Sequence, residues 1–187
     1  MLPSKFKSIR SSLYIALTIF FFSFNFIYGQ QNKPIETSEE IMAAVFQDVW
    51  QPFMESYREL DVEKFESIHA KDLTRVSISR NKIQSYADYF PEMKGFFQQI
   101  KKSGRQIDIR FAIVSTANEG DKTYQTGYYC FRSRGSDSEE FQPRGYGFFN
   151  VLLKKRDGTW KISLDADNRS TITEEEFKNA GTIYGLN

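Results

Sequence analysis

Four side chains of this sequence could take part in acid–base chemistry at a buried site. His69 is the only histidine, and Asp72 follows it at the spacing that places two side chains on one face of a helix. Asp165 and Asp167 lie two residues apart in an alternating segment. A carboxyl group buried in an apolar pocket has a raised pKa and becomes a usable base. All four are weak candidates, and no catalytic residue is assigned from the sequence alone.

His69 and Asp72 also have a purely structural interpretation. The helix would have to continue as far as Asp72, but the residues from Leu73 onward alternate as a strand does. A histidine at the C-terminus of a helix is often held there because its charge meets the helix dipole. With one histidine and one cysteine, Cys130, the sequence excludes a histidine cluster and a cysteine-based metal site, and we expect no metal.

Alternation also argues against the second pair. It places Asp165 and Asp167 together on one face of the segment 160–167. The same face carries Lys161 and Ser163. The opposite, apolar face is formed by three side chains: Trp160, Ile162 and Leu164. Strict alternation therefore favours two solvated acids at the end of a strand, and a place for either acid in a pocket is the alternative.

Asn150 is a polar residue that alternation predicts to be buried. It shares a stripe with Tyr146, Phe148 and Leu152, which is otherwise apolar. A buried amide needs a hydrogen-bond partner, which could be Tyr128 across the strands, a water or a ligand. The sequence leaves open whether Asn150 is a satisfied core amide or a ligand contact.

The remaining candidate groups predict no chemistry of their own. Asp108 and Arg110 alternate with apolar residues of the segment 106–115, so we expect them on an exposed or dimer-forming sheet surface. Cys130 is expected to be a buried thiol, since no histidine lies beside it in the sequence. The sequence contains no glycine-rich phosphate loop, no serine nucleophile elbow and no zinc-protease helix motif. We therefore expect no cofactor.

The N-terminus has the pattern of an export signal. Three basic residues, Lys5, Lys7 and Arg10, precede an apolar run. The run, Leu13–Tyr28, has 16 residues. A permanent span needs about 20 apolar residues, so this run is short for an anchor and suitable for a signal. Gly29 supplies a small residue for cleavage. An uncleaved anchor is the alternative.

Cleavage near Gly29 sets the composition of the mature protein. The signal takes three of the 25 basic residues and none of the 24 acidic ones, which leaves 22 basic and 24 acidic residues and a formal charge of −2. A protein that binds nucleic acid or an anionic membrane usually has an excess of basic residues, so we expect neither as a partner. We predict a signal peptide over 1–29, a flexible leader over 30–36 and one domain over 37–187. The protein is expected to be exported, periplasmic or secreted, with no stable membrane span after cleavage.

The mature sequence opens with helical patterns. Thr37 and Glu40 have the spacing of a capping box, and apolar residues then recur at helical intervals as far as Tyr57. Pro52 lies inside this pattern and predicts a kink. Asp61 predicts the cap of a second, short helix that ends near residue 69.

The rest of the chain changes from helical to strand periodicity. A short strand, Leu73–Ser79, precedes a third helix that begins at Ser85 or Asp88 and ends at Gly104. A short last helix begins near Thr173. Between these helices a period of two predicts four strands: Gln106–Ser115, Thr123–Arg134, Tyr146–Lys155 and Trp160–Asp167. This order predicts an α+β fold, with N-terminal helices packed on a curved, mainly antiparallel sheet.

The order of elements resembles the superfamily of nuclear transport factor 2, ketosteroid isomerase and the SnoaL-like polyketide cyclases. The segment His69-Ala-Lys-Asp72 stands where the family has a short Ala-x-Asp, and Lys155-Arg-Asp-Gly-Thr-Trp-Lys-Ile162 is similar to its last hairpin. The resemblance covers roughly residues 38–170. The helical part resembles the family in five residues: Trp50, Tyr57, Asp61, Phe65 and Ile68.

This resemblance implies a cone with a pocket between the helices and the concave sheet, and a dimer through the convex sheet face. Its members range from isomerases, dehydratases and hydrolases to binding modules without chemistry. A histidine is common near the end of the last strand in such domains, but this chain has Leu164-Asp-Ala-Asp-Asn168 there. That departure weakens the case for catalysis.

The sequence therefore favours a domain that binds a small apolar or aromatic molecule, or that serves as an interaction module. The alternative is a cofactor-free isomerase, dehydratase or hydrolase that uses a pocket carboxylate. A third hypothesis is assembly through the convex sheet face, with a vestigial pocket. The residues predicted to line the pocket are Trp50, Tyr57, Phe97, Tyr128, Tyr146, Phe148 and Asn150.

Overall fold

A computed structural model describes residues 37–186 of the chain. The predicted signal peptide over 1–29 and the leader over 30–36 lie outside the described residues, so both stay predictions. No helix within the described part is long and apolar enough to cross a membrane.

The first helix, α1 (Ser38–Val45), begins where the capping box predicts. The Thr37 side chain accepts a hydrogen bond from the backbone of Glu40, and the Glu40 side chain accepts one from the backbone of Thr37. A π-helical turn, Phe46–Trp50, follows α1 directly.

Pro52 lies in the first turn of the next helix, α2 (Gln51–Glu59). Proline has no N–H, so the backbone cannot form every i to i−4 bond across this point. The helix widens into the π-helical turn Phe46–Trp50 just before Pro52. The irregularity that the sequence predicts at Pro52 is thus found as this turn. The helical pattern thus continues through Pro52, with its apolar side chains still on one side.

The next two helices also have the predicted caps. Asp61 accepts hydrogen bonds from two backbone N–H groups at the start of α3 (Val62–Ser67), each at 2.9 Å. Ser85 caps α4 (Tyr86–Ser103), and Gly104 ends that helix with a positive φ of 68°.

Within residues 37–186, seven strands form one sheet in the order β2-β1-β6-β5-β4-β3-β7. The strands β1 and β6 are parallel, and all other neighbours are antiparallel. The bounds are β1 His69–Ser77, β2 Lys82–Ser85, β3 Gln106–Glu119, β4 Lys122–Arg134, β5 Gln142–Arg156, β6 Thr159–Ser170 and β7 Thr182–Tyr184. A short helix, α5 (Glu174–Asn179), lies between β6 and β7, and a 3-10 turn, Ile78–Arg80, lies between β1 and β2. The predicted α+β class is confirmed.

The helices α1 to α4 cover one face of this sheet, here called the inner face. On β5 the inner side chains are Phe149, Val151 and Leu153, all buried. They pack with helical residues into one hydrophobic core, in which Trp50 and Phe65 are fully buried. The other side of the sheet is called the outer face.

The position of the stripe that contains Asn150 is therefore opposite to the prediction. Both stripes of β5 are rich in apolar residues, so alternation alone does not tell which one faces the helices. The stripe of Tyr146, Phe148 and Asn150 lies on the outer face, half-buried. The amide oxygen of Asn150 accepts a hydrogen bond from the hydroxyl of Tyr124 at 3.0 Å, not from Tyr128.

A β-bulge changes the faces of β6. Leu152 of β5 pairs with Leu164, but the next residue pairs with Ile162, so Ser163 has no partner in the β5–β6 ladder. The extra residue shifts the alternation by one. Asp165 and Asp167 therefore lie on the inner face together with Ile162, and the predicted pair of solvated acids is wrong.

The outer face is partly covered by the C-terminal segment. Phe177 of α5 packs on Ala112 and Cys130, and all three are buried. Asp108, predicted on an exposed or dimer-forming surface, is fully buried because Arg58 contacts it at 3.1 Å and Arg132 at 3.5 Å. Arg110, given the same prediction, is also partly covered, since Gly185 lies against its side chain and its buried Nε has no hydrogen-bond partner in the described part.

Candidate functional site

A cavity of about 850 Å³ lies between the helices and the inner face of the sheet. Most of its wall is aromatic or aliphatic. The helical side contributes Trp50, Phe53, Tyr57, Tyr89, Met93 and Phe96. The sheet side contributes Ile109, Phe111, Tyr129, Phe131, Phe149 and Val151. A volume of this size and an apolar wall are typical of a small-molecule site.

Three charged residues break the apolar wall at one place. Arg75 projects from β1, and Asp165 and Asp167 project from the neighbouring strand β6. Nη1 of Arg75 lies 3.3 Å from Oδ1 of Asp165, and Nη2 lies 2.9 Å from Oδ2 of Asp167. We call these three residues the acid–arginine cluster. Its side chains are 7%, 11% and 15% exposed, so the charges are held in a largely dry environment.

Burial determines the protonation of the cluster. It raises the pKa of Asp165, the guanidinium of Arg75 opposes that shift, and the nearby Asp167 adds to it. Burial alone would lower the pKa of Arg75, but the two carboxylates outweigh it and the pKa is raised. Arg75 is therefore always charged, and Asp165 is the carboxyl group of the cluster that burial disposes to hold a proton.

Tyr129 joins the cluster from β4. Its hydroxyl donates a hydrogen bond to Oδ2 of Asp167 at 3.2 Å. Burial and the charge of Asp167 raise the pKa of Tyr129 to about 12, so the hydroxyl keeps its proton. The ring lies across Gly147 of β5, where an added Cβ would come within 2.2 Å of it. Only glycine at this position allows Tyr129 to reach the acids.

The cluster has unused hydrogen-bonding capacity. Within residues 37–186, Nε of Arg75 and Oδ1 of Asp167 are buried and have no partner. A buried polar atom without a partner costs free energy. A donor or acceptor group on a bound molecule, or a water, would satisfy such atoms. This part of the wall can therefore fix the orientation of a mostly apolar ligand.

The rim of the cavity is basic. Three exposed arginines line it, Arg80 after β1, Arg144 on β5 and Arg169 on β6. Glu92 of α4 lines the same region and is paired with Lys82. The wall thus changes from an apolar interior with a buried charged cluster to an exposed, positively charged rim.

His69 and Asp72 do not form a pair in the folded protein. Helix α3 ends at Ser67, so both residues lie on β1. His69 is buried against Phe65, whose carbonyl is 2.8 Å from Nδ1, and burial lowers the pKa of the imidazole to about 3. Asp72 is exposed and lies 3.2 Å from a guanidinium nitrogen of Arg156. Neither residue lines the cavity.

The other predicted site residues divide between the two faces. Trp50, Tyr57 and Tyr146 line the cavity, although the ring of Tyr146 also packs on Phe177 of the outer face at 5.6 Å. Phe97 lies behind Tyr57, with their ring centroids 5.4 Å apart, and does not reach the cavity.

Three further residues were predicted to line the cavity and lie on the outer face instead: Tyr128, Phe148 and Asn150. That part of the prediction is wrong because it placed the other stripe of β5 inside. The rings of Tyr128 and Phe148 pack on each other at 5.2 Å on the outer face.

Sequence analysis missed Arg75 and Tyr129. Arg75 lies in a predicted strand, where its neighbours suggested no charge on the inner face. The one available signal was the even spacing of Leu73, Arg75 and Ser77, which alternation places on the same face. Tyr129 is adjacent to Tyr128, and the choice between them depended on which stripe of the sheet faces the helices.

No metal-binding arrangement is found in residues 37–186, where no three histidine, cysteine, aspartate or glutamate side chains come together. The cluster offers instead one guanidinium, two carboxyl groups and one phenol beside an apolar wall. Chemically, this arrangement can hold a small apolar or aromatic molecule by one polar group. A carboxyl group that burial disposes to hold a proton can also exchange a proton with such a molecule.

The fold is shared with solved proteins of low sequence identity. Aln2 from a Streptomyces species superposes with a TM-score of 0.61 at 12% identity, over 72% of this chain and 94% of that one. ActVI-ORFA from Streptomyces coelicolor gives 0.60 at 12% identity, over 71% and 98%. A dehydratase candidate of the NTF2-like family from Streptomyces avermitilis gives 0.56 at 13%, over 73% and 100%. This chain thus shares its fold with these structures, one of which is described as a member of the NTF2-like family. No family model and no curated protein matches the sequence.

Proposed function

We propose that this domain binds a small, mainly apolar or aromatic molecule in the cavity between its helices and its sheet, without a cofactor. The observation that carries the proposal is the cavity of about 850 Å³, whose aromatic wall is interrupted at one place by the acid–arginine cluster. An apolar wall provides affinity, and a single polar cluster provides orientation. Solved structures share this architecture, and the fold by itself names neither a role nor a ligand.

The size of the cavity sets the expected affinity. Burying roughly 300 Å² of apolar ligand surface contributes about 7.5 kcal/mol at about 25 cal/mol per Å². Immobilising the ligand costs several kcal/mol of this. A ligand of two fused rings should therefore bind with a dissociation constant of roughly millimolar, and a micromolar value would require the cluster to contribute.

The test uses prodan, an uncharged naphthalene dye whose emission moves to shorter wavelength in apolar surroundings. The parent protein should bind it. Ile109→Trp fills the cavity from the sheet side and should abolish binding. Val114→Trp is the matched control, because Val114 is on the same strand and 46% exposed, and it should bind as the parent does. Met93→Trp repeats the test from the helical side in case Ile109→Trp does not fold.

Equal dye binding by folded Ile109→Trp and by Val114→Trp would contradict the proposal, because the dye would then occupy some other surface. No binding by the parent protein would contradict it as well. Circular dichroism of each variant ensures that a lost signal reflects a filled cavity and not an unfolded chain.

A second function, proton transfer in the cavity, is favoured by one observation. Asp165 is a buried carboxyl group in the cavity wall, and burial raises its pKa. Such a group is a suitable base for removing a proton next to a carbonyl, as a cofactor-free isomerase or dehydratase would require, or for activating a water, as a hydrolase would. Arg75, at 3.3 Å, opposes the shift and makes this the weaker candidate.

Proton transfer is tested with tetralone, an aromatic ketone, dissolved in deuterium oxide. If Asp165 is a base, the protein should accelerate exchange of the hydrogens beside the carbonyl, and Asp165→Asn should lose that acceleration while still binding prodan. If bound tetralone exchanges its hydrogens only at the rate seen in buffer, the proton-transfer proposal is contradicted and the binding proposal is not affected.

We further propose that the protein is exported and that residues 37–187 act as one domain after cleavage near Gly29. The support is the basic N-terminus followed by the short apolar run. N-terminal sequencing of the protein from its host tests this. A first residue at or near Gln30 is expected, and a chain that keeps Met1 would contradict cleavage.

We propose that a second copy of the chain binds to the outer face as a partner. The support is a patch of half-buried or exposed residues on β4 and β5: Tyr124, Tyr128, Phe148, Asn150 and Leu152. Sedimentation of the mature protein should give a dimer, and Phe148→Glu should give a monomer that keeps prodan binding. A parent protein that stays monomeric at high concentration would rule this partner out.

A further inference from the structure

The three rim arginines come from separate parts of the fold and converge on one opening. Arg80 ends the 3-10 turn after β1, Arg144 lies near the start of β5, and Arg169 lies near the end of β6. Their convergence gives the rim three positive charges against the single negative charge of Glu92. The mature chain as a whole is slightly acidic, so this is a local concentration of positive charge and not a general property of the surface.

Two of these guanidinium groups are held in place by serine hydroxyls. Nε of Arg80 donates to Oγ of Ser77 at 3.1 Å, and Nε of Arg144 donates to Oγ of Ser133 at 2.8 Å. Each bond uses the inner nitrogen and leaves the terminal nitrogens to other partners. In the described part of the chain, none of the three rim arginines forms a salt bridge with a carboxylate. Their terminal N–H groups are therefore positioned to hold an anion at the rim.

The charges follow a gradient along β6. Asp165, Asp167 and Arg169 all lie on its inner face, opposite Val151, Phe149 and Gly147 of β5. Two residues along a strand span about 6.7 Å, so the rim arginine lies roughly 13 Å beyond the inner acid. At the interior end of this line along β6, two acids face one arginine, Arg75, so negative charge is in excess. At the rim, three arginines face one acid, Glu92, so positive charge is in excess.

This gradient selects the charge and the direction of a ligand. An anionic group is attracted to the rim and repelled by the two interior acids, while an apolar body favours the aromatic interior. A carboxylate also matches the fork of an arginine, which can donate two parallel hydrogen bonds to its two oxygens. A ligand with both features would enter with its apolar end first.

We propose that the natural ligand is an organic anion: an aromatic or aliphatic body in the cavity, with one carboxylate held at the rim by Arg80, Arg144 and Arg169. This inference rests on the proposed binding function and specifies its ligand class. The acid–arginine cluster then lies near the far end of the ligand, where it accepts or donates one further hydrogen bond.

The test compares ligands that differ only in charge. Calorimetry measures naphthoate against naphthylmethanol, and decanoate against decanol, so that both an aromatic and an aliphatic body are tried. The acid of the better-binding pair should bind about tenfold more tightly than its alcohol at low ionic strength. Added salt should reduce the difference, because exposed charges are screened.

The rim arginines are then replaced one at a time. Arg144→Gln and Arg169→Gln should each weaken binding of the acid about threefold and leave the alcohol unchanged. Arg105→Gln is the matched control, since Arg105 is exposed and does not line the cavity, and it should change neither affinity.

The outcomes separate this inference from the function on which it rests. Equal affinity for acid and alcohol, both lost in Ile109→Trp, would overturn the anion proposal and keep the binding function. A preference for the acid that survives both arginine substitutions would also overturn it, because the anion would then bind elsewhere. If the parent protein binds neither pair, both proposals fail together.

Discussion

His69 is neutral in the folded protein because it is enclosed by aromatic rings. Phe65 and Phe90 lie 4.7 and 5.3 Å from its ring, and burial lowers its pKa to about 3. The charges of Arg75 and Lys161 act in the same direction. Nδ1 faces the carbonyl of Phe65, so the proton of the neutral ring belongs on Nδ1. The only histidine of the chain is thus a core residue whose ionisation is coupled to folding.

This coupling predicts a pH dependence of stability. In the unfolded chain His69 takes up a proton below pH 6.5, whereas the folded protein resists it down to about pH 3. The unfolded state therefore binds more protons in that window, and the free energy of unfolding falls as the pH drops, by about 1.4 kcal/mol per pH unit. Urea denaturation from pH 7 to pH 4 measures this. His69→Asn keeps a donor for the Phe65 carbonyl and should lose the part of the slope that His69 contributes.

The control is the difference between the two proteins at each pH, because other groups titrate equally in both. The advantage of the parent over His69→Asn should be largest at pH 7. A difference that stays constant with pH would mean that His69 is protonated as easily in the folded state as in the unfolded one.

Asp165 should have the opposite effect. Its pKa is raised in the folded state, so between the usual value of 3.8 and the raised one the folded protein holds more protons than the unfolded chain. Its contribution to stability is therefore lost as the pH rises through that window. Asp165→Asn removes this titration, so the stability of the variant relative to the parent should rise as the pH increases above 3.8. Urea denaturation of both proteins measures the gain, and a loss that grows with pH would show that Arg75 lowers the pKa instead.

At the scale of elements, two glycines allow aromatic rings to lie over the neighbouring strand on the inner face of the sheet. The ring of Tyr129 crosses Gly147, and the ring of Phe149 crosses Gly127, where added Cβ atoms would lie 2.2 and 2.9 Å from the ring atoms. Both rings form part of the cavity wall. The inner face is therefore shaped by where side chains are missing as much as by where they are present.

Gly147→Ala should destabilise the protein by about 1–3 kcal/mol, since the new methyl group must displace the ring of Tyr129. It should also weaken prodan binding, because the ring and its bond to Asp167 belong to the cavity wall. Gly145→Ala is the matched control on the same strand, where nothing lies within 4 Å of the added Cβ. Thermal unfolding of both variants tests this, and equal losses would mean that the ring moves aside without cost.

Elements with local signals were predicted well from the sequence. The caps at Thr37, Asp61 and Ser85 and the end at Gly104 are confirmed, because each depends on residues within a few positions. The hairpin at Asp157-Gly158 is confirmed too, with φ values of 51° and 83°.

Features that depend on pairing between distant strands were not predicted. The bulge at Ser163 exists only in relation to β5, and it reverses the faces of both acids. The strands β2 and β7 have four and three residues, too few for a periodic pattern, and are defined by pairing with β1 and β3. The sequence therefore identified Asp165 and Asp167 as candidates but placed them on the wrong face, because one extra residue reverses the alternation. It missed Arg75, which pairs with acids 90 and 92 positions away.

At the scale of the whole molecule, the sheet is covered on both sides by different ends of the described chain. The N-terminal helices enclose the cavity on the inner face. Helix α5 of the C-terminal segment covers one part of the outer face, where Phe177, Ala112 and Cys130 form a second, small core. Strand β7 extends the sheet at the free edge of β3. The remaining outer patch is the surface proposed for the second copy. The C-terminal segment therefore sets the limits of that interface.

Phe177→Ala tests how firmly this segment holds the outer face. The ring is 4% exposed, and removing a buried phenylalanine side chain costs about 3 kcal/mol or more. Cys130 is the reporter, since burial protects it and raises the pKa of its thiol. Labelling of the native protein with dithionitrobenzoate should be slow in the parent and much faster in Phe177→Ala. Lys178→Ala is the control, because its ion pair with Glu174 is exposed and contributes little. If Cys130 reacts equally slowly in both variants, α5 does not shield it and the outer face is held together by the strands alone.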